Sequence, residues 1–82
     1  MTNHARLRCE QMGVETKRVK RLVRDPDITR PSGEGIMAKA DYDPEIVVVY
    51  KEVEDGTRII LTVLPNTTEV FQRPDAKKEY QP

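Results

Sequence analysis

The chain has 82 residues, and its fourteen Lys and Arg residues balance fourteen Asp and Glu residues, so the formal net charge is zero. This length predicts a single small domain and excludes a large buried core. One cysteine excludes an internal disulfide, and no apolar run approaches the roughly 20 residues of a membrane span. We therefore expect a soluble, cytoplasmic protein without a membrane segment.

The charge is unevenly distributed along the chain. Residues 1–30 contain eight basic and four acidic side chains, a net +4, which leaves −4 for residues 31–82. A basic half on a neutral chain predicts one surface that meets an anionic partner.

The first predicted element is a short helix near the N-terminus. Thr2 or Asn3 is expected to cap this helix, and Gly13 is expected to end it in a left-handed conformation. At about 100° per residue, one face is apolar and should meet the core. That face comprises Ala5, Cys9 and Met12. A polar stripe borders it and comprises His4, Arg8 and Gln11.

The second predicted element is an amphipathic helix that opens at Glu15 or Thr16 and closes at Asp25-Pro26. Its apolar side comprises Val19, Leu22 and Val23. Its opposite side is cationic and comprises Lys17, Arg18, Lys20, Arg21 and Arg24. Such a face is typical either of a solvated helix surface or of a contact with a phosphate backbone, and the sequence leaves both interpretations open.

After Pro26 the hydrophobic period changes to that of strands. Four strands are predicted, over residues 27–30, 36–40, 46–50 and 58–64, with a further short strand over 67–73. The run Ile46–Tyr50 has no polar face and should be buried on both sides. Asp55-Gly56 is a hairpin signal between the last two main strands. Residues 74–82 are polar and are expected to form a flexible tail.

Two helices followed by a run of strands predict one α+β domain over residues 1–73. The expected architecture has the two N-terminal helices packed on one face of a twisted, mostly antiparallel four-stranded sheet, in the order α-α-β-β-β-β. Two short helices would cover the apolar surface of such a sheet incompletely, which leaves a homodimer as an open alternative.

The stretch "HARLRCEQMGV", residues 4–14, resembles the opening helix of small bacterial and phage domains that begin with His-Ala-x-x-Arg. In those domains a second helix ends near a proline and a hairpin follows, as do "VETKRVKRLVRDP" and "EIVVVYKEVEDGTRIILTVLP" here. The resemblance covers roughly residues 3–72. This family is allied with the BrnT-like and RelE-like toxins, which are small ribonucleases of toxin–antitoxin pairs. The chain departs from the pattern at Met12, where related sequences carry arginine, and in its neutral charge.

The resemblance implies a toxin-like domain that binds RNA or cleaves it without a metal. Cleavage needs a proton acceptor, a proton donor and cations at one phosphate. The expected catalytic residues are His4, Arg8 and Arg58, because His4 and Arg8 lie one helical turn apart and can reach the same phosphate. The expected RNA-binding residues are Lys39, Lys51, Lys17, Arg21 and Arg24, with Tyr50 and Thr62 as hydroxyl partners. Neither a cofactor nor a metal is expected.

A second hypothesis is a catalytically inactive interaction module of the same fold, for example a phage protein that binds a host protein. The partner is then a cognate antitoxin or a host protein instead of RNA. Under this hypothesis His4 is a solvated or capping residue, and Arg8 covers the apolar face or pairs with an acid. The two hypotheses differ in geometry. The enzyme requires His4, Arg8 and a strand cation in one cleft, whereas the module leaves them apart or paired with other groups.

Other classes of site lack the residues that they need. One histidine and one cysteine exclude a zinc site, and Cys9 is expected in the core. The acidic residues between 41 and 45 lack the spacing of a calcium loop, because Pro44 interrupts them. The single serine, Ser32, lies in a predicted turn without the setting of a catalytic nucleophile.

Overall fold

In the computed structural model, which describes residues 1–33 and 35–67, two helices precede four strands. The helices are α1 (Asn3–Met12) and α2 (Thr16–Arg24), and the strands are β1 (Ile28–Ser32), β2 (Gly35–Ala40), β3 (Asp43–Glu52) and β4 (Arg58–Pro65). The strands pair antiparallel in the order β1-β2-β3-β4. The predicted α+β fold and its element order are therefore confirmed. Apart from Thr67, the short strand expected over 67–73 lies outside the described residues, as does the segment 74–82.

Strand β3 forms the centre of the core. All residues of its run Ile46–Tyr50 are buried. Alternate side chains point to opposite faces of a strand, so Ile46, Val48 and Tyr50 join the main cluster with the helices. Val47 and Val49 join a second cluster with Met37 on the other face. The prediction that this strand is buried on both sides is confirmed.

The strand ends differ from the predicted ones at two turns. The predicted turn over residues 31–35 is shorter, because β1 runs through Pro31 and Ser32 pairs with Gly35. Pro31 is tolerated there because β1 is an edge strand, so no strand lies on its outer side to need a hydrogen bond from the N–H that proline lacks. A Cβ on Gly35 would lie 2.7 Å from the carbonyl oxygen of Tyr50, so this close backbone approach requires glycine.

The predicted turn over residues 41–45 is also shorter than expected, because β3 begins at Asp43. Asn66, just beyond β4, holds this early part of β3 in place. Its side-chain Nδ2 donates to the carbonyl of Pro44 at 2.7 Å, and its backbone N–H donates to the carbonyl of Glu45 at 3.0 Å. These partners lie about twenty residues apart, so local turn residues alone do not reveal the longer strand.

Helix α1 begins and ends as predicted. Thr2 is the N-cap, and its Oγ1 accepts from the backbone N–H of Ala5 at 3.1 Å. Gly13 ends the helix with a φ of 68°, a conformation that glycine adopts without steric cost. Cys9 is buried on the apolar face, and burial raises the pKa of its thiol. Cys9 is therefore a core residue, as expected.

Helix α2 is fixed to the sheet by its apolar face and by one arginine. Val19 and Leu22 are fully buried, and Val23 is 5% exposed. On the flank, the Arg18 Nε donates to Asp43 Oδ2 at 3.0 Å, and its Nη2 contacts both Asp43 and Glu45. The hydrogen bond to Asp43 raises the pKa of Arg18 further. Arg18 is thus an anchor between α2 and β3, which sets it apart from the solvated cations of the same helix.

Candidate functional site

The polar stripe of α1 contacts strand β4. The Nε2 of His4 lies 3.1 Å from the hydroxyl of Thr62, and this pair is exposed. The Arg8 Nε donates to the carbonyl of Val63 at 3.1 Å, and its Nη1 donates to Gln11 at 3.3 Å. His4 and Arg8 therefore share one surface, as their spacing predicts, and both hold hydrogen bonds within the domain.

These contacts continue along the outer edge of β4. The backbone N–H of Thr2 donates to the carbonyl of Ile60 at 3.0 Å, and the Thr2 hydroxyl donates to the carbonyl of Leu61 at 3.1 Å. Strand β4 is an edge of the sheet, where unpaired carbonyls would otherwise recruit another strand. The first turns of α1 therefore cover this edge, and Arg8 contributes to that structural role.

Arg58, at the start of β4, is engaged with α2. Its Nη1 donates to the carbonyl of Val23 at 2.7 Å, and its Nε donates to Glu52 at 3.3 Å. Its guanidinium carbon lies 5.2 Å from the ring centre of the buried Tyr50. A cation at a helix C-terminus satisfies a free carbonyl and complements the helix dipole. Arg58 thus holds the last turn of α2 against the sheet.

The three expected catalytic residues do not meet at one point. Arg58 and Thr62, the partner of His4, are four residues apart on β4, which corresponds to about 13 Å along a strand. Arg58 contacts Val23 and Glu52, whereas His4 contacts Thr62, so the two groups are engaged at different places on the domain. The structure brings His4 and Arg8 together and leaves Arg58 beside α2.

The strand lysines lie on yet another surface. Lys39 stands between Ala38 and Ala40, which both face the helices. Lys51 follows Tyr50, which also faces the helices. By strand alternation, Lys39 and Lys51 point to the opposite face of the sheet. The expected site residues therefore occupy three surfaces of the domain: the α1–β4 edge, the side of α2, and the sheet face without described helices.

One surface does gather cations, and it is the outer side of α2. Four exposed side chains follow the spacing i, i+3, i+4 and i+7, so they form one stripe; they are Lys17, Lys20, Arg21 and Arg24. We call these four residues the basic face of α2. Lys20 is absent from the residues predicted to bind RNA, although its helical spacing places it among them.

The cations of the basic face differ in their local partners. The Lys17 Nζ lies 3.9 Å from Glu15 Oε1, and both side chains are largely exposed, so this pair contributes little to stability. Arg21 lies over the ring of Tyr42, 4.3 Å from its centre. Within residues 1–33 and 35–67, no ion pair joins Lys20 or Arg24 to an acid. These two cations are therefore available to an anion from solution.

Tyr42 ties the end of α2 to the turn before β3. Its hydroxyl lies 2.7 Å from the carbonyl of Asp25, to which it donates, and 3.3 Å from that of Arg21. Burial is the main cause that raises the pKa of the Tyr42 phenol, and the charge of Asp25 raises it further. A neutral phenol can donate to these carbonyls, whereas a phenolate cannot.

Tyr42 gives the domain a predicted loss of stability at high pH. The unfolded pKa is about 10 and the folded pKa is higher, so the contribution of Tyr42 is present below about pH 10 and is lost as the pH rises through the folded value. The variant Tyr42→Phe should lose about 0.5–1 kcal/mol of unfolding free energy near neutral pH. This is the usual contribution of one hydrogen bond, taken at the lower end because Tyr42 is partly exposed to water. The variant should also show a smaller decrease above about pH 10. Urea denaturation of both proteins at about pH 8 and about pH 11 measures the difference; equal decreases would contradict this role.

A pocket of about 550 Å³ opens between the basic face of α2 and the β3–β4 hairpin. Lys20, Arg24 and Arg58 line it with cationic groups, and Glu52 supplies one carboxylate. Val23 and Ile60, each 5% exposed, form its apolar floor. The pocket combines an apolar surface with excess positive charge, which suits a ligand that has both an apolar and an anionic part.

The chain matches no family model, and comparison with curated proteins and with solved structures likewise gave no match. The resemblance to RelE-like and BrnT-like toxins therefore rests on the sequence motif and stays a prediction. Neither described helix has the length and hydropathy to cross a bilayer. Within the described ranges, no three His, Cys, Asp or Glu side chains are grouped closely enough to hold a metal ion.

Proposed function

We propose that this domain is a toxin-like RNA-binding module of the RelE/BrnT type that grips the phosphate backbone with the basic face of α2 and does not cleave it. The observation that carries the proposal is the stripe of four exposed cations on one side of a single helix. Seven residues of helix rise about 10 Å, a length over which a stacked strand presents about three phosphates. The stripe therefore matches a short stretch of nucleic-acid backbone.

The positions of the remaining site residues support binding without cleavage. A nuclease needs its proton donor, proton acceptor and cations around one phosphate. Here His4 contacts the neutral hydroxyl of Thr62, Arg8 donates to a backbone carbonyl, and Arg58 lies at the other end of β4. The arginine that related sequences carry is replaced by Met12. A domain of this kind would act in the cytoplasm, where its RNA target and any cognate antitoxin are found.

RNA binding and its salt dependence test the proposal directly. Fluorescence anisotropy with a labelled single-stranded RNA should give an affinity that falls with salt at a slope of about −2 to −3 in log–log form, since each phosphate contact on a single strand contributes about −0.7. The variant Arg6→Ala removes an exposed cation from α1 and should leave the affinity unchanged. A salt slope near zero, or no binding at low salt, would overturn the proposal.

Cellular RNA provides a separate prediction about cleavage. Expression of the chain in a bacterium without any partner should leave total RNA intact, and the variant His4→Ala should give the same result, because Arg8 beside His4 is engaged with the carbonyl of Val63 and Arg58 is engaged with α2. The measurement is the integrity of ribosomal and messenger RNA on a gel after induction. RNA degraded by the native chain and spared by His4→Ala would contradict this account and assign His4 to a nuclease mechanism.

The engaged side chains also support the second interpretation, a protein-interaction module. His4, Arg8 and Arg58 all hold contacts within the domain, as expected when no catalysis is required. The basic face would then meet an acidic surface on an antitoxin, a host protein or a second copy of the chain. Salt-dependent RNA binding that persists in the absence of any protein partner distinguishes the RNA proposal from this alternative.

A further inference from the structure

The pocket beside the basic face of α2 shares Lys20 and Arg24 with that face, and it adds an apolar lining and groups of the β3–β4 hairpin. From this geometry we infer that it binds a nucleoside 5′-monophosphate group at the 5′ end of an RNA strand. In this inference the phosphate lies between Lys20 and Arg24, and the base and ribose lie against the apolar lining of Met1, Val23 and Ile60. This inference deepens the proposed function and rests on it, since it names the part of the RNA that the domain selects.

Charge favours a terminal phosphate over an internal one. Lys20 and Arg24 are separated by four residues on α2, so their side chains emerge about 5–6 Å apart on one side of the helix. A terminal phosphate monoester carries a charge of about −1.5 to −2 at neutral pH, whereas an internal phosphodiester carries −1. Two cations therefore match the terminal group, and an arginine can bind two of its oxygens at once.

The C-terminal end of α2 also lies at this pocket, and a helix C-terminus repels anions. Arg58 offsets that effect, because its Nη1 donates to the carbonyl of Val23 at 2.7 Å. The guanidinium places positive charge where this carbonyl of the last helical turn would otherwise face the ligand. Arg58 is thus a positioning residue that leaves Lys20 and Arg24 to contact the phosphate.

The rest of the pocket suits a nucleoside. Met1, Val23 and Ile60 line the pocket with apolar groups, and the partly buried Met1 gives the flat face of a base a surface on which to pack. The carboxylate of Glu52, about half-exposed, accepts hydrogen bonds from ribose hydroxyls or a base amino group. A volume of about 550 Å³ lies within the range of small-ligand sites and accommodates one nucleotide.

Paired RNA oligonucleotides test the inference. Two hexamers of identical sequence with a 3′ fluorophore, one carrying a 5′-phosphate and the other a 5′-hydroxyl, are compared by anisotropy. The native protein should bind the phosphorylated hexamer at least about tenfold more tightly. Arg24→Ala should reduce this ratio to near one. Lys17→Ala removes an equal charge from the same helix outside the pocket, so it should weaken both hexamers equally and keep the ratio.

The outcomes distinguish selection of a 5′-phosphate by the pocket from general RNA binding by the basic face. Equal affinity of the native protein for the two hexamers would overturn the inference and leave RNA binding by the basic face intact. If neither hexamer binds, the proposed function fails, and adenosine 5′-monophosphate tests the pocket alone. Amide NMR shifts at Gly56 and Ile60 with this nucleotide, and not with adenosine, would support the pocket. Unchanged shifts at both residues would overturn it.

Discussion

Replacing Lys20 and Arg24 together by glutamate is expected to weaken RNA binding by at least a hundredfold. Both side chains are exposed on the basic face of α2, and no acid of the described residues pairs with them. The double variant changes the local charge by four units, from +2 to −2. One unit charge at about 4 Å from a phosphate is worth about 1 kcal/mol in a water-like medium, so the total is about 3–4 kcal/mol. Anisotropy at fixed salt measures the loss.

A matched control separates a local contact from a general charge effect. Arg6→Glu combined with Lys51→Glu produces the same change in net charge, on exposed positions of α1 and of the opposite sheet face. This control should reduce RNA affinity by less than about tenfold, because long-range attraction is screened beyond about 8–10 Å at physiological salt. Equal losses in the two double variants would contradict a specific role for the basic face.

Leu22→Ala is expected to destabilise the domain by about 3 kcal/mol, the largest single effect on folding that we predict. Leu22 is fully buried and is among the largest such side chains in the core, between α2 and the sheet. A domain of this size has a total stability of about 4–12 kcal/mol, so this loss is a large fraction of it. Because Leu22 holds α2 on the sheet, the Leu22→Ala variant should also leave the basic face of α2 without a fixed position. Urea denaturation monitored by circular dichroism measures the free energy of unfolding.

Leu7→Ala is the matched control for this stability prediction. Leu7 lies on α1 and is 50% exposed, so its truncation leaves no cavity and should cost less than about 0.5 kcal/mol. A loss of similar size in both variants would show that burial of Leu22 does not hold α2 on the sheet.

Local features of the fold follow from the sequence because neighbouring residues determine them. The cap at Thr2, the left-handed Gly13 and the buried side of α2 all depend on residues within a turn or two. The burial of Ile46–Tyr50 on both faces follows from a run without polar residues. Strand ends were less predictable, because the start of β3 depends on Asn66, a partner about twenty residues away.

In the candidate site too, features set by neighbouring residues could be predicted, and contacts between residues far apart in the chain could not. Helical spacing places His4 beside Arg8 and also predicts the basic face of α2. Spacing along a helix does not reveal which strand faces it, so the contact of His4 with Thr62 and the attachment of Arg58 to α2 required the structure. Arg18 is a further example, because its acid partner Asp43 lies 25 residues later in the chain.

We propose that the basic face of α2 is the surface that meets RNA. Titrating the isotopically labelled protein with a single-stranded RNA hexamer and following its amide NMR signals tests this claim most directly. We predict that the largest shifts fall on residues 16–24 and on the neighbouring hairpin over 53–57. The largest shifts on residues 3–12 and 61–64, around His4 and Thr62, would contradict the claim and return the α1–β4 edge to consideration as the site.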